Sequence, residues 1–376
     1  MPETSDRDWI KATIAAAYSG FPVGRVRQQF SSIAAMVEAD SSALIAAGAT
    51  TRQATVLQAV PDTLCDDAER WLSVAGHELI TMDDATYPDA LRTIDGAPAG
   101  LFVDGDAGLL QHPALAIVGS RNPTAGGATT AQEFAAHLAG AGLAIVSGLA
   151  AGVDAAAHRG ALASDGATIA VLGAGIDIDY PAANRQLASD IRRAGVVVSE
   201  YPPGRSARSW QFPARNRIIS GLSLGTLVVE ATQRSGSLIT ARLAGEQGRS
   251  VFAIPGSIHN PLARGCHQLI RQGALLTESI EDVLAEIGPQ LGQHIETTQA
   301  PADRPSSISD TQPDADYARV LNALGWDPVG VDTLIDRSGL TAAEVSSMLL
   351  IMELRGDVQS APGGKYMRAG DKQGST

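Results

Sequence analysis

The segment FPARNRIISG (212–221) combines a proline with closely spaced cationic side chains. We predict a helix that begins at Pro213, because proline suits the first helical position. The first turn of that helix would contain Arg215, Asn216 and Arg217. A helix N-terminus carries partial positive charge and favours acidic side chains. Two arginines at such an end are explained if an anionic ligand binds there, and the alternative is that they pair with Glu200 or Glu230 and hold the sheet together.

The residue at the start of this segment, Phe212, adds an aromatic ring. Only 4% of the chain is aromatic, so a ring beside Arg215 and Arg217 is informative. Guanidinium groups bind phosphates and an exposed ring stacks on bases, and together they suit single-stranded nucleic acid. The alternative, in which Phe212 is a core residue, stays open on the sequence alone.

The turn Gly119-Ser120-Arg121 follows an apolar run, and an arginine beside a helix N-terminus suits phosphate. Its surroundings, GSRNPTAGG, lack the G-x-G-x-x-G pattern of a dinucleotide-binding loop, so we expect no nicotinamide cofactor. The alternative is an ordinary strand-to-helix turn with a surface arginine.

A second turn, Ser235-Gly236-Ser237, precedes another predicted helix. No lysine or paired His and Asp stands at a spacing that would make either serine a nucleophile. We therefore interpret this turn as a place where hydroxyl and backbone N–H groups can hold an oxygen anion.

Asp154 and His158 lie four residues apart in SGLAAGVDAAAH (147–158), a spacing that two metal ligands on a helix could have. A third ligand is missing, because Glu200 and Glu230 belong to other predicted strands. We interpret Asp154 as a helix-start residue that complements the dipole and His158 as a structural histidine. No metal site is predicted.

Six short apolar runs, alternating with helical stretches, must position these residues. The runs are LAIVGS (115–120), LAIVSG (143–148), TIAVLG (168–173), VVVSE (196–200), TLVVEA (226–231) and SVFAIPG (250–256). Such runs, each followed by a Gly or Ser turn and a helix, predict a Rossmann-like, doubly wound, mostly parallel α/β sheet. Ligands bind these sheets beyond the C-terminal strand ends, where the candidate residues lie.

Further modules flank this central domain, which we place at residues 80–288. Residues 1–75 show short amphipathic segments and predict a helical module of the SAM-like or helix-hairpin-helix type. Residues 289–314, rich in Pro, Gln, Ser and Asp, predict a linker. Residues 315–370 show three helical patterns and a hairpin around 362–364, which together predict a winged helix.

The overall composition limits the class of protein. The 376 residues carry a formal net charge of −13, which argues against bulk, non-specific DNA coating but permits a local basic site. No apolar run is long enough to span a membrane, and the first residues do not resemble a signal peptide. Cys65 and Cys266 lie far apart without metal-ligand spacing, and we expect reduced thiols in a cytoplasmic protein.

Seven segments of the central region resemble the DNA-processing protein A (DprA/Smf) family, in the family's order. They are AIVGSR (116–121), SGLAAGVDAAAHRGAL (147–162), GATIAVLGAGIDIDYPAANRQL (166–187), SEYPPG (199–204), FPARNRIISGL (212–222), VVEATQRSGSLITARLAGEQGR (228–249) and FAIPGSIHNPLARGCHQLIRQGA (252–274). The resemblance implies a cytoplasmic single-stranded DNA-binding protein of natural transformation. Such a protein protects incoming strands, binds the RecA recombinase and helps to load it. The resemblance further implies a homodimer through the Rossmann-like domain, with no enzymatic activity, cofactor or membrane contact.

The matching motifs imply a DNA pocket, to which we add the serine turn. The predicted DNA-binding residues are Gly119, Ser120, Arg121, Phe212, Arg215, Asn216, Arg217, Ser235, Gly236 and Ser237. A DNA phosphate between the two arginines and the helix end would explain why the repulsive end is tolerated. In the winged helix, the candidate recognition helix has only Arg355 as a base and carries Glu344 and Glu353. This predicts a protein-facing or structural role rather than groove binding.

A competing function is that of a LOG-type (lysine-decarboxylase-like) nucleoside-monophosphate phosphoribohydrolase. Its G-T-x-x-E signature is roughly matched by Gly225, Thr226 and Glu230. The run 226–231 predicts a buried strand, however, and not a helix start that carries a catalytic glutamate. We therefore favour DNA binding over catalysis.

Overall fold

The computed structural model describes residues 6–291, 320, 323–324, 328–355, 357–362 and 365–368. These residues fall into two compact units. The first comprises 6–123 and 127–291, and the second comprises 124–126 and the described residues from 320 onward. Within these ranges, no helix has both the length and the apolarity that a membrane crossing requires.

The first unit contains a nine-stranded sheet with the order β1-β2-β6-β5-β4-β3-β7-β8-β9. The strands are β1 His77–Thr81, β2 Gly100–Gly105, β3 Ala114–Val118, β4 Ala144–Ser147, β5 Thr168–Val171, β6 Val196–Ser199, β7 Gly225–Val228, β8 Ser250–Ala253 and β9 Leu275–Leu276. β2 pairs antiparallel with β1 and β6, and the other pairings are parallel. The six predicted runs form β3 to β8, which confirms the Rossmann-like, mostly parallel sheet.

Helices and short helical turns precede, connect and follow these strands. They are α1 Asp6–Ser19, α2 Val23–Val26, α3 Ile33–Val37, α4 Ser41–Ala46, α5 Thr51–Gln58, α6 Asp62–Leu72, α7 Asp89–Arg92, α8 Ala125–Gly140, α9 Val153–Ala163, α10 Arg185–Ala194, α11 Gln211–Gly221, α12 Ser237–Glu246, α13 Arg264–Arg271 and α14 Ile280–Leu291. The helix α14 extends into the first residues of the predicted linker, 289–291. Residues 292–314 lie outside the described residues.

Both faces of the sheet are covered, as the continuous apolar strands predict. Along β3, Leu115 and Ile117 pack in one core with α8, α9 and α14, whereas Ala116 and Val118 pack in another with α11, α12 and α13. Successive strand residues point to opposite faces, so a strand that is covered on both sides must be apolar throughout.

The chain reverses its direction of winding between β3 and β7, which are neighbours in the sheet. The helix after β3, α8, packs on one face, and the helix after β7, α12, packs on the other. The loops after the two strands therefore diverge and leave a crevice at the C-terminal strand ends, which is the usual ligand position in this fold.

The N-terminal helices α1 to α6 form the predicted helical segment and have their own core around Trp9, Val26 and Met36. Ile10 and Ile14 of α1 also pack with Phe102 of β2, so these helices belong to the same compact unit as the sheet. The boundaries at 75 and 80 stay predictions, and β1 already begins at His77.

The second unit contains β10 Val329–Gly330, α15 Val331–Ser338, α16 Ala342–Arg355, β11 Val358–Ala361 and β12 Lys365–Arg368. The strands form a sheet in the order β10-β12-β11, with β11 and β12 as the predicted antiparallel hairpin. A capping box starts α16: Thr341 N–H donates to Glu344 Oε2 at 2.8 Å, and Glu344 N–H donates to Thr341 Oγ1 at 3.4 Å. Much of the first helical pattern, at 317–326, lies outside the described residues.

Candidate nucleic-acid interface

A cleft of about 660 Å³ opens at the crevice between the ends of β3 and β7. We call it the Phe212 cleft. Nine of the ten predicted site residues line it: Gly119, Ser120, Arg121, Phe212, Arg215, Asn216, Ser235, Gly236 and Ser237. The cleft thus brings together three sequence segments, of which the first and the last are more than a hundred residues apart. The tenth residue, Arg217, lies elsewhere.

Arg121 is the accessible cation of the Phe212 cleft. Its side chain is exposed, and among the described residues its guanidinium has no hydrogen bond or ion pair. The guanidinium carbon lies 5.8 Å from the centroid of the Phe212 ring. An unpaired arginine above an aromatic face can contact a phosphate and support a stacked base.

Phe212 is half-buried, and its ring packs closely on the turn after β5. A Cβ at Gly173 would lie only 2.8 Å from Phe212 Cδ1, so a side chain there would displace the ring. Phe212 is therefore intermediate between the two alternatives, a core residue and an exposed stacking residue. One part of the ring is held by backbone, and another part faces the cleft.

A second aromatic residue of the cleft, Tyr180, was missing from the predicted site. Its ring lies 5.3 Å from that of Phe212 at an interplanar angle of 40°, and the residue is 47% exposed. Tyr180 therefore offers a more accessible ring than Phe212. Its signal in the sequence was an aromatic residue in a loop after β5, in a chain with only six tyrosines.

The serine turn lies at the N-terminus of α12 and lines the same cleft as Arg121. Ser235 Oγ and Ser237 Oγ are 2.7 Å apart, and Ser237 N–H donates to Ser235 Oγ at 3.3 Å. Asn216 Nδ2 donates to Gly236 O at 3.5 Å and connects this turn to α11. The prediction of a turn that opens a helix is confirmed; anion binding by it stays a prediction.

The predicted start of α11 at Pro213 is wrong by two residues. The helix begins at Gln211, so Arg215, Asn216 and Arg217 lie in its second turn. The Gln211 side chain accepts the Arg208 N–H at 2.6 Å and thereby fixes the preceding loop. Proline is tolerated at the third helical position because its missing N–H would have no intrahelical partner there. The repulsion expected between a helix end and two arginines is correspondingly weaker.

Arg215 borders the cleft but is 95% buried, with a relative exposure of 5%. Its Nη1 donates to Gly148 O at 2.9 Å and also to Val171 O, so it connects the ends of β4 and β5. A Cβ at Gly148 would lie 2.5 Å from Arg215 Nη2, which explains the glycine after β4. Burial lowers the pKa of Arg215 to about 10, against the opposing charge of Asp154.

Arg217 points away from the Phe212 cleft. Its Nη2 donates to Glu200 Oε1 at 2.5 Å, its Nε to Gly96 O at 2.7 Å and its Nη1 to Ala214 O at 3.0 Å. Burial works to lower the pKa of Arg217, and the adjacent carboxylate overrides it and raises that pKa. Residues two apart on a helix lie about 200° apart around its axis, so Arg215 and Arg217 could not share one pocket.

Asp154 lies in the first turn of α9, as predicted, and borders the Phe212 cleft, while His158 is fully buried in the core. Asp154 Oδ2 accepts the N–H groups of Gly148 at 3.1 Å and Ala150 at 3.4 Å, while His158 Nδ1 lies 2.7 Å from Thr168 Oγ1. Burial lowers the pKa of His158 to about 3, so the imidazole is neutral. The part of the chain that the structure describes contains no group of three or more His, Cys, Asp or Glu placed to hold a metal ion.

Glu230, the candidate catalytic residue of the competing hydrolase, follows β7 but is not part of the cleft lining. It is 8% exposed, and its Oε1 accepts Asn260 Nδ2 at 3.3 Å. A Cβ at Gly127 would lie 2.5 Å from its carboxyl carbon, so α8 packs against it. A carboxylate enclosed in this way is poorly placed to act on a ligand in the cleft.

Comparisons with known proteins agree with the architecture. The profile of the family described as DNA recombination-mediator protein A matches residues 78–288, and that of the DprA winged helix domain matches residues 299–364. The chain is 40% identical to Protein Smf from Escherichia coli (strain K12), over 96% of this chain and 95% of that protein.

Two solved structures are similar to this one. The X-ray structure of DNA processing protein A from Streptococcus pneumoniae matches with a TM-score of 0.65 and 38% identity, over 74% of this chain and 97% of that one. A Helicobacter pylori DNA processing protein A structure, solved to describe its single-stranded DNA binding mode, matches with a TM-score of 0.52 and 30% identity. It covers 57% of this chain and 97% of that one. This chain therefore belongs to the DNA-processing protein A (DprA/Smf) family, as the matching family profile, the near full-length relative and the shared fold show.

Proposed function

We propose that this protein binds single-stranded DNA in the Phe212 cleft and acts in natural transformation. There it protects incoming strands and helps to load the RecA recombinase. Single-stranded DNA binding is the property that the Helicobacter pylori relative's structure was solved to describe. We further propose a cytoplasmic homodimer that assembles through the Rossmann-like domain and has no catalytic role.

The observation that carries the proposal is the combination of Arg121 with two rings, Tyr180 and Phe212, in one open cleft. Single-strand binding needs a cation for phosphate and an aromatic face for bases, and it needs no base-specific donors. A cleft at the switch point of the sheet supplies both, from the loops after β3 and β5 and from the first turn of α11. The proposed binding is therefore tolerant of sequence.

The first test compares single-stranded with duplex DNA of equal length across a range of salt concentrations. We expect preference for the single strand, because a duplex keeps its bases stacked internally and away from the two rings. We also expect affinity to fall with salt, since phosphate contacts release counterions. Equal affinity for both forms at every salt concentration would contradict the assignment of the cleft.

The RecA and dimer parts of the proposal need separate tests. We expect the full chain to give the mass of a dimer in light scattering. We also expect it to accelerate RecA assembly on a strand already covered by a competing single-strand-binding protein. A variant that binds DNA normally but does not accelerate RecA assembly, relative to RecA alone, would separate binding from loading. No acceleration by the wild-type protein would refute the loading role.

A further inference from the structure

A second cleft, also of about 660 Å³, lies on the opposite side of the first turn of α11. We call it the Trp210 cleft. It is bordered by the α1–α2 region, by the loop after α7 and by α11, and its lining includes Arg25, Arg92, Trp210 and the Arg217–Glu200 pair. None of its residues lines the Phe212 cleft.

The charges of the Trp210 cleft favour an anion. Arg217 is neutralised by Glu200, which leaves Arg25 and Arg92 as the other charged residues of the lining. Arg25 donates to a neutral acceptor, Gly48 O, at 2.8 Å, so its charge is not compensated by that contact. The carbonyls of Met82 and Asp84 accept hydrogen bonds from Arg92, whose Nε lies 3.5 Å from the highly exposed Asp89 carboxylate. An exposed pair of this kind is worth little and is easily exchanged.

Trp210 supplies an aromatic surface to this cleft. It is 43% exposed, although its ring meets those of Tyr18 and Tyr201 edge to face at 6.0 and 5.9 Å. These edge contacts hold the indole in place while part of it remains accessible. A fixed, partly exposed indole in a cleft that also contains two arginines is suited to stacking on a base.

The two clefts are close because Trp210 and Phe212 are separated by one residue. Two residues of backbone span at most about 7 Å, so a flexible strand that leaves one cleft can enter the other. The intervening surface is also free of repulsion from this segment. Residues 201–229 contain no Asp or Glu, and besides the buried Arg215 and the ion-paired Arg217 they contribute Arg205 and Arg208, in a chain whose net charge is −13.

We infer that single-stranded DNA bound in the Phe212 cleft continues across the first turn of α11 into the Trp210 cleft, where Trp210 stacks on a base and Arg25 contacts a phosphate. This inference rests on the proposed function and extends it. It makes the N-terminal helical segment, through Arg25 of α2, part of the DNA-binding surface. It also predicts that affinity depends on strand length in two stages.

The test measures affinity for oligothymidylates from about 4 to about 20 nucleotides, which brackets known single-strand site sizes. The variants are Trp210→Ala and Arg25→Ala in the full chain. On the longest strand, Trp210→Ala should bind about 5- to 140-fold more weakly, which corresponds to the loss of one stacking contact. On the same strand Arg25→Ala should flatten the slope of log K against log salt by about 0.7. On the shortest strand, both variants should match the wild type.

Two controls separate a binding role from a structural one. Arg52→Ala removes an exposed arginine of α5 that lies outside the cleft lining. This variant should have the wild-type affinity for both short and long strands. Trp210→Phe keeps a ring and should retain most of the long-strand affinity, while it loses the tryptophan quenching that the long strand causes. The thermal melting temperature of each variant should stay close to that of the wild type.

Two results would overturn the inference while the proposed function stands. The first is a Trp210→Ala variant and an Arg25→Ala variant that both match the wild type at every length. The second is a loss in both variants that is equal for short and long strands, which would mean that they alter the Phe212 cleft itself. A wild-type protein that binds no single-stranded DNA would instead refute the proposed function.

Discussion

Replacement of Arg217 by Ala should reduce stability and leave single-strand DNA binding at short lengths unchanged. The Arg217 guanidinium forms an ion pair with Glu200, whose side chain is only 3% exposed, and it donates to two backbone carbonyls. Its own side chain is 20% exposed, so water screens the pair only in part. Without the arginine, the carboxylate of Glu200 stays buried without its charged partner.

The expected magnitude follows from that uncompensated charge. Breaking one partner of a buried ion pair costs about 3–5 kcal/mol of the free energy of unfolding. At about 2–4 °C per kcal/mol for a large domain, the melting temperature should fall by about 6–20 °C. The double variant Arg217→Met with Glu200→Gln should lose less than Arg217→Ala alone, because it removes both charges.

The assay pairs thermal unfolding with salt-dependent DNA binding for two arginine variants. Arg121→Ala should keep its melting temperature and lower the slope of log K against log salt by about 0.7, because Arg121 is exposed and unpaired among the described residues. Arg217→Ala should show the reverse pattern. An Arg217→Ala protein that has the melting temperature of the wild type and a flatter slope of log K against log salt would refute the structural assignment of this residue.

Three further predictions concern other residues. Tyr180→Ala should weaken single-strand binding by about 1–3 kcal/mol without changing the slope of log K against log salt, as measured by fluorescence anisotropy. Tyr180→Phe keeps a ring and should retain the wild-type affinity. Burial lowers the pKa of His158 to about 3, so below about pH 6.5 the unfolded chain takes up a proton that the folded chain does not. The contribution of His158 to the free energy of unfolding should therefore fall by about 1.4 kcal/mol per pH unit as the pH drops from about 6.5 to about 3, and stay level above that range. Urea titrations should show that His158→Gln lacks this component. Finally, burial raises the pKa of the Cys65 thiol and raises that of Cys266 to about 12, so neither should react with a thiol reagent at pH 8 until the protein is unfolded. Rapid labelling of the native protein would contradict the burial of both thiols.

The sheet could be predicted from the sequence because its central strands are buried on both faces. Strands such as LAIVS and TIAVL are then apolar throughout, a pattern that a surface helix rarely shows. By contrast, β1 and β2 were not predicted. β1 is an edge strand with polar residues at His77 and Glu78, so its short sequence has no continuous apolar run.

The sequence predicted most of the residues that form the candidate site, but only part of their arrangement. The loops at the strand ends had to converge once the sheet was known, and Gly119 to Arg121 met Phe212 and the serine turn accordingly. The start of α11 depended on a contact of Gln211 with the preceding loop, which no local pattern showed. The divergence of Arg215 and Arg217, however, follows from helical periodicity and could have been predicted.

The buried position of Arg215 has a consequence for the entropy of binding. Because its guanidinium holds the carbonyls of Gly148 and Val171 together, the loops after β4 and β5 are ordered before any ligand arrives. The ordering cost of association then falls mainly on the incoming strand and on exposed side chains such as Arg121. Because these loops are ordered in advance, strands of different nucleotide sequence should lose similar amounts of conformational entropy when they bind this surface.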